Sequence, residues 1–99
     1  MIRAFISQPM KDKTNEEIES ERKRVIEKIK EYSADEVIII DSFFKDAPHN
    51  AKPLWYLAKS IEMLSTANLA YFVKGWNDCR GCKIEYQCAK EYGIHIIAE

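Results

Sequence analysis

Leu69-Ala-Tyr-Phe-Val-Lys-Gly75-Trp-Asn-Asp-Cys-Arg-Gly81-Cys-Lys-Ile-Glu85 joins a short apolar run to a turn-rich loop, and the loop leads straight into a helix. Leu69 to Val73 reads as a buried strand, and Cys82 to Tyr92 places its apolar residues at helical spacing. Open α/β sheets bind ligands beyond the carboxyl ends of their strands, where such loops lie. Asp78 and Arg80 put charge into the loop, and Glu85 brings a carboxylate early into the helix. The partial positive charge at a helix start would hold Glu85 ionised and available as a nucleophile. A plainer role, complementing the helix dipole, fits the same residue.

Working outward, strands and helices alternate. Ile2 to Ile6 is a first strand, ended by the breaker Ser7-Gln-Pro-Met10. Thr14, with Glu17 three residues on, forms a capping box that opens helix one. Ile18, Val25, Ile29 and Tyr32 share one face of that helix; Arg22 interrupts it and is expected to snorkel toward water. Val37 to Ile40 is β-branched and too short for a helix, so it reads as a buried strand closed by Asp41-Ser42. Phe43 to Lys52 is a loop in which Asp46 is a solvated acid. Pro53 starts helix two, with Leu54, Leu57, Ala58, Ile61 and Leu64 as its apolar stripe. Gly93 ends helix three, and Ile94 to Ile97 is strand four.

This alternation predicts one three-layer Rossmann-like (flavodoxin-type) α/β domain spanning residues 1–99, with a parallel four-stranded sheet in the order 2-1-3-4. In that order the winding reverses between strands one and three. The loops Ser7 to Lys13 and Lys74 to Gly81, with Asp41 beside them, should therefore line the ligand crevice. Asp41 ends strand two next to that crevice and suits contact with a ribose hydroxyl.

Composition narrows the classes. The net charge of −1 offers no field for nucleic acid, and no apolar run approaches membrane-spanning length. The amino-terminal residues lack the pattern of a signal peptide, and the cysteine count of 3 is odd, which together suggest a reducing cytoplasm. Cys79-Arg-Gly-Cys82 occupies the helix-start position of thioredoxin-type redox sites, but the expected strand order is not theirs. Zinc held by Cys79, Cys82, Cys88 and His95 lacks a second properly spaced pair. Cys88 reads as a core residue, and His49 and His95 as structural. No metal and no cofactor are expected.

Phe5-Ile-Ser-Gln-Pro-Met10, Gly75-Trp76, Asp78-Cys-Arg-Gly81 and Glu85 four residues after that glycine together resemble the nucleoside 2-deoxyribosyltransferase superfamily. The similarity is greatest to its short, often phage-borne, uncharacterised members, and it covers nearly the whole chain. The resemblance implies Glu85 as the nucleophile attacking the anomeric carbon and Asp78 as the acid/base partner for the departing base. It also implies a small-molecule nucleoside or nucleotide and a homo-oligomer. Loop amides around Ser7, Gln8, Pro9, Met10 and Gly81, near helix starts, could hold a 5′-phosphate, and Asp41, Trp76 and Arg80 are the further residues expected to meet the ligand. Trp76 can stack on a base or equally cover the core. Phe5 stands where the transferases commonly have tyrosine, Gln8 where they have glycine and Asn68 where they often have aspartate. Their aspartate usually lies six residues before the glutamate, a place held here by Cys79. The expected activity is N-glycosidic bond cleavage or 2-deoxyribosyl transfer, and the rival is a non-catalytic nucleotide-binding module.

Overall fold

β1 (Ile2–Ser7) alternates two sets of side chains. Ala4 and Ile6 point to one face of the sheet, Phe5 and Ser7 to the other. That alternation builds two apolar layers, and the computed structural model, which describes residues 1–41 and 47–99, shows both. Ser42 and Asp46 lie outside the described residues.

One layer packs Ala4, Ile6, Leu69, Tyr71 and Val73 of the sheet against Val25 and Ile29 of α1 (Asn15–Tyr32). The opposite layer joins Phe5, Ala70 and Phe72 to Leu64 of α2 (Pro53–Leu64) and Ala89 of α3 (Arg80–Glu91). β2 (Val37–Ile39), β3 (Leu69–Phe72) and β4 (His95–Ala98) complete a parallel sheet in the order β2-β1-β3-β4. Ala4 is in register with Ile39 on one side and Leu69 on the other. The fold is thus the three-layer Rossmann-like arrangement expected. The crossover leaving β1 leftward carries α1, and those running rightward carry α2 and α3, so α1 has one face to itself.

The capping box is present, with Thr14 N–H donating to Glu17 at 3.0 Å and Glu17 N–H to the Thr14 hydroxyl at 3.1 Å. Gly93 adopts a left-handed φ of 71°, which lets the chain turn out of α3 at low cost. Three readings shift. β2 is an edge strand with Ile38 partly open to solvent, because the far end of the sheet has a neighbour on one side only. α2 buries Leu64, while Leu54, at the start of its stripe, remains 73% exposed. α3 begins two residues early, after a short 3-10 turn at Trp76–Asp78 entered through Gly75 at φ 93°. No described helix is long and apolar enough to cross a membrane.

Candidate functional site

Because α3 starts at Arg80, Glu85 sits in its second turn, facing the sheet, and is only 7% exposed. β1 delivers Ser7 to the same face, and its hydroxyl donates to Glu85 Oε1 at 2.6 Å. Ser60, on the inner side of α2, supplies a second hydroxyl to the carboxylate. Three elements thus converge on one acidic group. Burial raises the Glu85 pKa above the usual carboxylate range, while the Ser7 and Ser60 hydroxyls pull it back by stabilising the ionised form. The helix-start argument predicted the reverse direction. It fails because the dipole's effect fades beyond the first turn, whereas desolvation acts wherever the group is buried. Mere complementation of the dipole does not explain a carboxylate held at this depth.

Glu85 and Ser7 lie in a cleft of about 920 Å³ at the carboxyl edge of the sheet. Its walls come from the segment after β1, the first half of α2 and the first turns of α3. Of the residues singled out from sequence, Ser7, Gln8, Met10, Arg80, Gly81 and Glu85 line this cleft. Gln8 is held from behind: its amide donates to the Ile18 carbonyl at 3.0 Å, and Arg22 approaches its Oε1 at 3.5 Å.

The other four are elsewhere. Pro9 lies beside Gly75, its Cγ 3.5 Å from where a Cβ there would stand. Trp76 stacks on Tyr86 with centroids 4.4 Å apart, meets Phe72 edge-on, and donates its indole N–H to the Glu99 carbonyl at 3.1 Å. It covers the core and does not rim the cleft. Asp78 is exposed on the 3-10 turn, outside the lining. Asp41 is exposed and lies near the buried Arg22. Arg22 does not snorkel: it turns inward and donates to the Ile40 carbonyl at 2.9 Å, closing the top of β2. Its burial lowers the guanidinium pKa, with the charge of Asp41 opposing.

Some lining residues escaped the sequence reading. Ser60 follows Leu57 by three positions and precedes Leu64 by four, so helical spacing put a hydroxyl on the inner stripe. Tyr56, Lys52 and Lys11 also line the cleft. So does Cys79, the position six residues before Glu85. Burial pushes the neighbouring Cys82 thiol well up, the opposite of what a redox nucleophile needs. His95 stacks on Tyr32 and shares a 2.8 Å hydrogen bond with its hydroxyl, far from those cysteines in the fold. Among the described residues no three His, Cys, Asp or Glu side chains are grouped to hold a metal.

A parallel sheet whose winding reverses at β1, with a carboxylate-floored cleft there, defines a small Rossmann-like α/β domain. The chain belongs to the family described as a domain of unknown function (DUF4406), whose model matches residues 3–98. No curated protein and no solved structure gives a significant match.

Proposed function

We propose that this protein acts on the N-glycosidic bond of a nucleoside or nucleotide, with Glu85 as the nucleophile. The observation that carries the reading is the Glu85 carboxylate on the floor of a ligand-sized cleft, held by Ser7 at 2.6 Å. The resemblance to the nucleoside 2-deoxyribosyltransferase superfamily supports it at the same residue. Such bonds break through an oxocarbenium-like state, which an adjacent carboxylate stabilises and then captures. A Glu85 oxygen bonds to the anomeric carbon as the bond to the base nitrogen breaks, and the electron pair leaves with the base. Water, or a second base, then displaces the ester and regenerates the carboxylate.

Asp78 does not line the cleft, and Cys79 holds the place of the family's aspartate, so the leaving base takes its proton from water. That favours bases that leave readily, and hydrolysis over transfer. Among the described residues Glu85 is the one carboxylate lining the cleft. This observation favours the second reading, a module that binds a nucleotide without turning it over. Self-association belongs to the proposal too, since Leu54 and Ile84 leave apolar surface at the cleft mouth.

The test is incubation with a panel of nucleosides and nucleotides, with free base read by chromatography. Glu85→Gln is expected to abolish base release while ligand affinity stays within about tenfold, since bond formation to the sugar exists only along the reaction path. A 2-fluoro-2-deoxy nucleoside is expected to leave a glycosyl ester on the peptide containing Glu85, visible by mass. Binding without base release from any compound would replace the enzyme with the binding module.

A further inference from the structure

The charge around the cleft runs against that of the molecule. The chain as a whole has 15 Lys and Arg against 16 Asp and Glu. The cleft lining has Lys11, Lys52 and Arg80 against the single carboxylate of Glu85. These cations come from three separate segments: the turn after β1, the residue before α2 and the first residue of α3. All three are exposed, and none has an ion-pair partner among the described residues.

The backbone adds to the imbalance. α2 and α3 both open at this cleft, at Lys52 and Cys79, and neither has a side-chain cap or an acidic residue in its first turn. α1, which opens elsewhere, has a full capping box with Glu16 and Glu17. Helix amides without side-chain caps and a cluster of exposed cations around one cavity favour a bound anion. Depth separates the two kinds of charge: Glu85 is buried, the cations are exposed, and Glu85 is shifted by burial and hydroxyls rather than by them. Pro53, Tyr56 and Leu57 offer an apolar wall between floor and mouth.

We infer that the cleft takes a phosphate monoester of a nucleoside, with the sugar at Glu85 and the phosphate at the mouth between Lys11, Lys52 and Arg80. This rests on the N-glycosidic reading for the sugar's placement and names the substrate class: nucleoside 5′-monophosphates rather than nucleosides. Cation-rimmed capture also makes affinity salt-dependent, because exposed charges are screened.

The experiment is calorimetric titration of the full chain with the four 2-deoxynucleosides, their 5′-monophosphates and 2-deoxyribose 5-phosphate, at low and high salt, alongside the base-release assay. At least one monophosphate is expected to bind ten or more times tighter than its nucleoside, with the advantage shrinking as salt rises. Lys52→Gln with Arg80→Gln should remove most of that advantage. Lys28→Gln, an exposed change on α1, should alter neither. Circular dichroism checks that the exposed substitutions leave the fold intact. Equal affinity for nucleosides and monophosphates, or an advantage that survives the double substitution, overturns the inference. Base released equally well from both overturns it while the N-glycosidic reading stands. Tight, salt-sensitive binding of a monophosphate without base release sustains the phosphate site and removes the enzyme.

Discussion

Replacing Ser7 with alanine isolates the contact on which the site depends. The Ser7 hydroxyl is buried and donates to Glu85 Oε1 at 2.6 Å, so Ser7→Ala removes a partner from a group already short of solvent. A hydrogen bond to a charged group contributes roughly 1.5–3 kcal/mol, against about 1 kcal/mol for a neutral pair. The loss should therefore be near 2 kcal/mol where Glu85 is ionised and about half that where it is protonated. For a domain of this size 1 kcal/mol moves the melting temperature by about 4–8 °C, so the difference is measurable. The sign follows from linkage. Burial raises the folded-state pKa of Glu85, so its contribution is fully present below the unfolded value and is lost as pH rises through the folded value. Removing the Ser7 donor raises the folded pKa further, which deepens the loss on the alkaline side. Urea denaturation of both proteins at pH 4, 6 and 8 reads this directly, and the alkaline-going limb of any base-release profile should move up with it. A penalty that is the same at all three pH values, or larger at pH 4, would refute the reasoning.

Glu99 offers the opposite sign. Arg24 at 2.8 Å, the Tyr71 hydroxyl at 2.7 Å and the Lys74 N–H at 2.8 Å hold its carboxyl down to about 2 from the ordinary 4.5. Glu99→Gln should cost about 1 kcal/mol at neutral pH after allowing for solvent screening, with the penalty vanishing as pH falls from about 4.5 toward 2 in acid titrations of stability. Trp76→Phe keeps the ring packing on Tyr86 but loses the bond to the Glu99 carbonyl, so stability should fall by about 1 kcal/mol while ligand affinity by calorimetry is unchanged. Leu54→Lys should weaken self-association, measured by sedimentation, without lowering the melting temperature of the monomer, because Leu54 contributes little to the core.

The fold was legible because its signals are local and agree with one another. The Thr14 and Glu17 box, the β-branched run at Val37 and the glycine at 93 each specify one element boundary. With right-handed crossovers, their order leaves little freedom in the sheet, and the order fixes which loops share an edge. The lining of the cleft was legible in part: that Ser7, Gln8, Met10, Arg80, Gly81 and Glu85 share one edge of the sheet follows from the topology. What escaped depends on side-chain direction. Whether Trp76 faces the ligand or Tyr86 is settled by the 3-10 turn after Gly75, which no periodicity marks. Lys11 and Lys52 looked like ordinary loop cations, because their meeting at one mouth involves segments distant in sequence.

At Glu85 local consistency gives way, and that is itself informative. The inner face of α3 otherwise presents Cys82 and Ala89, and an apolar residue between them would pack on Phe5 and Phe72 without the desolvation that raises the carboxyl's pKa. A buried acid met by hydroxyls, with no cation among the causes of its shift, gains little for stability from its position. The hydroxyls keep an ionised form accessible without neutralising it as a salt bridge would, and that is the condition a carboxylate nucleophile needs. A variant with glutamine at this position should then be at least as stable as the parent at neutral pH, since it keeps hydrogen-bonding capacity and loses the buried charge. A clear loss of stability instead would make Glu85 a structural group and leave the proposed cleavage without its nucleophile.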